Sequence, residues 1–246
     1  MFPISKKNSY SIKKEKIGII QVDTQFKRIL GDIGNPATWP FPVLYQIMRD
    51  ISPRKVIFKN DTPVLQAALQ AALSLEEKGV NANTTTCGFL ARYQKELSDA
   101  VKVPVLTSSL LQIQLIDRMM NRKKRIAVLT AKKSALNQLH FQAVGARDIP
   151  VICYGMDEKA YFQKVFVNNL LSDFKPCIIE RELLALTREL MEKHPETGAI
   201  LLECTNMSPY IKSIQAQAQV PVFDILTLIQ WFYHGVCPQK GKCHYY

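Results

Sequence analysis

The sequence predicts an α/β protein made of two pseudo-symmetric lobes, each built on a parallel sheet, with the active site in the cleft between them. Three observations carry this. Short Val/Ile/Leu runs alternate with longer amphipathic stretches, which is the pattern of strands buried on both faces and joined by right-handed helical crossovers. Two stretches repeat one another without a gap. With 246 residues and 47% apolar side chains, the chain is long enough to bury either one large core or two small ones.

The elements follow in order. KIGIIQV at 16 to 22 opens the first lobe, and the Gly- and Pro-dense GDIGNPATWPFP at 31 to 42 is a long loop after that strand. RKVIFK at 54 to 59 is the next expected strand. PVLQAALQAALSLEEKG then predicts a helix, with Pro63 in its first turn and Gly79 as its stop. Further strands are expected at VPVLT (103 to 107), RIAVLT (125 to 130), IPVICY (149 to 154), GAILLE (198 to 203) and VPVFDI (220 to 225). The first lobe is expected over 15–108, completed by 220–236; the second spans 109–219, and 1–14 and 237–246 are flexible tails.

The repeat sets TTTCGFLARYQKELSDAVKVPVLTSS, from Thr84, against LLECTNMSPYIKSIQAQAQVPVFDIL, from Leu201. Cys87 meets Cys204, Tyr93 meets Tyr210, and Val103-Pro104-Val105 meets Val220-Pro221-Val222. Each lobe thus ends one strand in a cysteine that opens a helix. Helix starts present unpaired N–H groups and the positive end of the dipole, so both thiols are expected to have lowered pKa values. Across a pseudo-twofold axis, one sulfur removes a proton from a carbon while the other delivers one to the opposite face, which is what inversion beside a carboxylate demands. Fixed donors must then stabilise the enolate-like charge. Neighbouring Thr85, Thr86, Thr205 and Asn206 supply hydroxyl and amide groups.

Other residues carry less. Cys153, in an apolar strand, and Cys177, beside Pro176, are assigned to packing. Glu203 stands where it could orient Cys204. Asp32 and Asn35 are turn residues that become ligands only if their loop closes over the cleft. His234, Cys237, Cys243 and His244 fit no strong zinc spacing, so no metal is expected, and no Gly-rich phosphate cradle or other cofactor motif is evident.

Charge and composition bound the partners. The net charge of +11 favours an anionic partner, whether a small carboxylate, a phosphate or nucleic acid, and charge alone does not choose among these. The basic runs Lys6 to Lys16 and Arg122 to Arg125 lack the interleaved aromatics of a stacking platform, which speaks against nucleic acid. No stretch has the length of a membrane span or a signal peptide, and the six cysteines have no disulfide-framework spacing, so a cytosolic protein with reduced thiols is expected.

The sequence resembles the aspartate/glutamate/hydantoin racemase superfamily, whose relatives include maleate isomerases and arylmalonate decarboxylases. The carriers are Gly31-Asp32-Ile33-Gly34-Asn35-Pro36, Thr84-Thr85-Thr86-Cys87-Gly88, Val128-Leu129-Thr130 with Ser134, and Glu203-Cys204-Thr205-Asn206. The resemblance implies flavodoxin-like lobes, a cofactor-free amino-acid racemase acting on a small carboxylate such as aspartate or glutamate, and a homodimer. It implies Cys87 and Cys204 as the acid/base pair, with Thr85, Thr86, Thr205 and Thr130 on the substrate. Asn206 stands where the glutamate racemase subgroup has histidine, and Gly88-Phe89 replace its Asn-Thr, which leaves aspartate, hydantoins and other acids open. Retention of both cysteines argues against the decarboxylase branch and leaves cis-trans isomerisation through a cysteine nucleophile, or simple anion binding, as alternatives.

Overall fold

The computed structural model describes residues 16–59 and 61–236; the expected tails, with Cys237, Cys243 and His244, lie outside them. Two four-stranded parallel sheets form among these residues, with the same strand order in each. The first has the order β2-β1-β3-β4, from β1 (Ile17–Val22), β2 (Val43–Met48), β3 (Ala82–Thr85) and β4 (Val105–Leu106). The second has the order β6-β5-β7-β8, from β5 (Arg125–Thr130), β6 (Val151–Gly155), β7 (Thr197–Leu202) and β8 (Val222–Phe223). The two-lobed parallel α/β architecture is the one expected.

Two expected strand features are corrected. Residues 55 to 59 of the apolar run form a π-helical turn, not a strand, and bury only Val56 and Ile57. The position beside β1 is taken by β2, in register from Ile17 opposite Val43 to Val22 opposite Met48. β3, expected only as the strand that the cysteine repeat ends, has no apolar run to mark it because its sequence, ANTT, is polar yet fully buried. Its side chains satisfy themselves on neighbouring backbone: Thr84 Oγ1 donates to the Leu106 carbonyl at 2.8 Å and Asn83 Nδ2 to that of Ala72 at 3.2 Å. Gly18 lies beside β3, where a Cβ would overlap Asn83 Oδ1.

Helices cover the sheets. In the first lobe, α1 (Thr62–Glu77) turns Val64, Ala68, Ala71, Ala72 and Leu75 inward, following the i, i+3, i+4 spacing of the apolar residues, and Gly79 (φ 72) ends it as read from sequence. In the second, α6 (Pro176–Lys193) buries Ile179, Leu183, Leu186 and Leu190 on the same principle.

The lobes exchange helices. After β4 the chain crosses over as α3 (Ile113–Met119), whose Ile113 and Ile116 join the core that holds β5 and β7, while Gln114 donates to the Val144 carbonyl at 2.9 Å. After β8 it returns as α8 (Ile225–Val236), whose Ile225, Leu228 and Ile229 pack on Ile17, Ile19, Ala82 and Leu106 of the first lobe. The expected boundary at 220 therefore falls early: helix α8 completes the first lobe, but β8 pairs with β7 in the second sheet. The polar seam beneath the exchange is bonded too, with Ser109 Oγ donating to the Leu202 carbonyl at 2.7 Å and Gln112 Nε2 to that of Asp224 at 2.8 Å.

Candidate active site

Cys87 and Cys204 lie two residues past the ends of β3 and β7, at the carboxyl edges of equivalent central strands, where parallel sheets place ligands. Each caps a six-residue 3-10 helix, Gly88–Tyr93 or Thr205–Tyr210, that runs into α2 (Gln94–Ala100) or α7 (Ile211–Ala218). Both line one interlobe cavity. The symmetry-related positions read from the repeat thus come together.

The roof of the cavity is the segment after β1. Lys27 N donates to the Ser172 carbonyl and Gln25 N to Asn169 Oδ1, both at 2.8 Å, pinning this first-lobe segment to the second lobe. Phe26 packs edge-on against Phe166 at 5.0 Å, and Arg28 lies over the Phe26 ring at 4.6 Å. Arg28 is held on three sides, by Asp32 Oδ1 at 2.9 Å, Thr24 Oγ1 at 3.0 Å and Asn206 Oδ1 at 3.4 Å. It was missed at the sequence level. The available signal was an arginine four residues before an aspartate, in a loop leaving the carboxyl end of the first strand.

The predicted ligand residues divide into two groups. Thr86, Thr205 and Asn206 line the cavity with the two cysteines. Even there, two hydroxyls are engaged: Thr86 Oγ1 accepts from Val22 N at 3.0 Å, and Thr205 Oγ1 donates across the lobes to the Thr86 carbonyl at 2.7 Å. Asn206 Nδ2 faces Cys204 Sγ at 3.8 Å. Thr85, Thr130 and Asn35 are not among the lining residues. Thr85 Oγ1 donates to the Thr107 carbonyl at 2.7 Å and accepts from Cys87 N at 3.3 Å, so it shapes the cysteine turn. Asn35 accepts from Ala37 N at 2.9 Å and donates to the Arg28 carbonyl at 2.9 Å: no residue of the 31–42 loop lines the cavity, and this side chain holds the loop itself. Thr130 Oγ1 donates to Glu203 Oε2 at 2.7 Å.

Glu203 is wholly buried beneath the thiols and lines the cavity. Burial pushes its carboxyl up to about 7, against the lowering effect of the Thr130 hydroxyl and the Ala131 N–H. Its Oε1 has no hydrogen-bond partner among the described residues. Gly88 is what makes room for it, since a Cβ there would overlap the Glu203 carbonyl and Oε1.

The expectation of lowered thiol pKa values is overturned. Burial pushes Cys87 up to about 12, helped by the Glu203 charge and opposed by the Phe89 N–H and Arg28. Burial raises Cys204 as well, with Glu203 and Cys87 adding to it and Asn206 opposing. Desolvation outweighs the few N–H groups that a six-residue 3-10 turn offers. Of the cysteines assigned to packing, Cys153 is half-buried in β6, whereas Cys177 is exposed at the start of α6. The described members of the Cys/His group and the rest of the chain form no cluster of three metal-ligating side chains among the described residues.

Fold and cavity together define a two-lobed α/β protein whose interlobe cavity is lined by two thiols, one guanidinium and one carboxyl. The family model for Asp/Glu/hydantoin racemases matches residues 49–231, and the chain belongs to that family. Among curated proteins it is similar to a dimethylsulfoniopropionate lyase of Durusdinium sp. clade D, at 25% identity over 92% of this chain and 76% of that protein. It is also 27% identical to dimethylsulfoniopropionate lyase 6 of Emiliania huxleyi (strain CCMP1516), over 86% of this chain but only 57% of that protein's length. Among solved structures, allantoin racemase from Klebsiella pneumoniae superimposes with a TM-score of 0.61 at 13% identity, covering 93% of this chain and 91% of the other, which is a likeness of fold. No helix among the described residues is long and apolar enough to cross a membrane.

Proposed function

We propose that the protein removes the proton α to the carboxylate of a small acid, without a cofactor, using Cys87 and Cys204 as its acid/base pair. The observation that carries this reading is that both sulfurs, from equivalent strand ends of two lobes, line a single cavity beside one guanidinium. In this reading Arg28 takes the substrate carboxylate. Val22, Phe26, Pro53, Ile57 and Phe166 exclude water, which strengthens each electrostatic contact inside. The resting thiols are neutral, so one gives its proton to solvent as the substrate binds, and the thiolate left behind is supported by the Phe89 and Asn206 N–H groups. One thiolate takes the α proton onto sulfur while the Arg28 guanidinium stabilises the negative charge that moves onto the carboxylate.

Two outcomes follow from that intermediate. If the second thiol gives its proton to the opposite face, the product is the enantiomer, and the protein is an amino-acid racemase for an aspartate- or glutamate-like acid; the paired thiols favour this reading. If the β carbon carries a leaving group, its bond breaks as the α electrons form the double bond. The sequence relatives favour this second reading, in which dimethylsulfoniopropionate yields acrylate and dimethyl sulfide.

Incubation in heavy water with single enantiomers of aspartate, glutamate and substituted hydantoins, and separately with dimethylsulfoniopropionate, tests both. Deuterium at the α carbon with loss of optical rotation, or release of dimethyl sulfide, is expected. Cys87→Ala and Cys204→Ala should each lose roughly 100-fold or more, the scale of an acid/base residue. No exchange, inversion or release with any of these acids sinks the proposal.

A further inference from the structure

The cavity is lined by two buried groups of opposite charge that do not pair with each other. Among its described lining residues, Arg28 is the one cation and Glu203 the one carboxyl. Arg28 is already compensated, by Asp32 at 2.9 Å. Glu203 is not: no ion pair among the described residues includes it, and its Oε1 is unpartnered although fully buried. Oε1 lies against Gly88, where any Cβ would overlap it, so the glycine beside Cys87 is what lets the Glu203 carboxyl reach the cavity wall. Thr130 Oγ1 donates to Oε2 at 2.7 Å, but nothing meets Oε1, and a buried carboxyl oxygen without a donor or countercharge is retained at low cost only if something arrives to meet it.

Building on the α-proton chemistry proposed above, we propose that Glu203 receives a cationic centre of the substrate, so that the cavity selects small zwitterions with their carboxylate at Arg28 and an ammonium or sulfonium group at Glu203. The carbon between the two charges then lies between the thiols, since Glu203 adjoins Cys204 in sequence and touches the neighbour of Cys87 in space. An arriving cation also screens Glu203 from both sulfurs, whose ionisation that carboxylate opposes. A plain carboxylic acid has no group to offer Oε1. The rings of Phe26, Phe89 and Phe166 provide an apolar wall suited to methyl groups on a sulfonium.

Two matched pairs of probes test this. Dimethylsulfoniopropionate is compared with 4-methylpentanoate, which replaces the sulfonium by an uncharged carbon, and aspartate with succinate, which lacks the ammonium. The readout is protection of Cys87 and Cys204 from iodoacetamide in the intact protein, resolved by peptide mass spectrometry, which needs no turnover. At least one zwitterion should protect at about tenfold lower concentration than its partner, equivalent to about 1.4 kcal/mol, and the pair that shows the preference tells sulfonium from ammonium. In Glu203→Gln, checked for folding by circular dichroism, the ratio should fall to about one with little change for the probe that lacks the cationic group. Equal protection within both pairs, no protection by either zwitterion, or a preference that survives in Glu203→Gln overturns the assignment. The wild-type comparison stands even if the variant fails to fold. A preference for zwitterions without α-deuterium uptake upholds Glu203 as the receptor and overturns the catalytic reading instead.

Discussion

Glu203 shows how much one buried carboxyl shapes this protein. Its folded pKa of about 7 lies above the unfolded 4.5, so the folded state binds the proton more tightly than the unfolded chain. The stability this gives is complete below pH 4.5 and is lost as pH rises through about 7, a change of about 3 kcal/mol for a fully buried group. His140 acts in the opposite sense, because burial lowers it from 6.5 to about 4, so the wild-type curve alone is flattened. Urea unfolding across this range should therefore show the difference between wild type and Glu203→Gln falling by that amount; a flat difference would refute it. At this scale the sequence was partly legible. The two cysteines could be found because the repeat ties them together, and Glu203 was noticed only as a neighbour. Thr85, Thr130 and Asn35 were overread, since a hydroxyl or amide in a motif does not reveal whether it faces a ligand or bonds to nearby backbone, and here all three do the latter or hold Glu203.

At the scale of elements, apolar runs were a good guide wherever burial is apolar. β1, β5 and β7 were legible for that reason, and α1 from its spacing and its Pro and Gly ends. β3 was not, because its stability comes from side-chain hydrogen bonds to carbonyls, which hydrophobic patterning does not detect. The run at 54 to 59 misled because alternation over six residues cannot separate a strand from a short helical turn. Helix α8 depends on contacts that are remote in sequence. Ile229, fully buried against the first sheet, anchors it, and Ile229→Ala should cost about 2–5 kcal/mol in denaturant unfolding. A loss below about 1 kcal/mol would show that the helix is not held by this face.

For the molecule as a whole, the repeat forecast two lobes with one strand order, and the two sheets agree with it. The expected bounds already gave the last helix to the first lobe and residues 113 to 119 to the second; what they missed is that β8, just before that last helix, stays in the second sheet. Neither lobe then has a complete core without its partner's segment, and the chain should unfold in a single transition. Far-ultraviolet circular dichroism, tryptophan fluorescence from Trp39 and Trp231, and exposure of Cys87 and Cys204 to alkylation should share one midpoint in denaturant. Separate midpoints would mean that the lobes fold independently.

The exchanged helices also bear on how anything reaches the thiols. With α3 and α8 crossing in opposite directions, the halves are clasped at the back, and prising them apart would strip apolar surface from both at once. The front is fastened more lightly, by the two backbone-amide bonds that Gln25 and Lys27 make to the segment around Asn169 and by the ring contact of Phe26 with Phe166. The two sulfurs thus sit between unequal seams, a greasy one behind that runs through both halves and a thinner one in front made of a few polar and ring contacts.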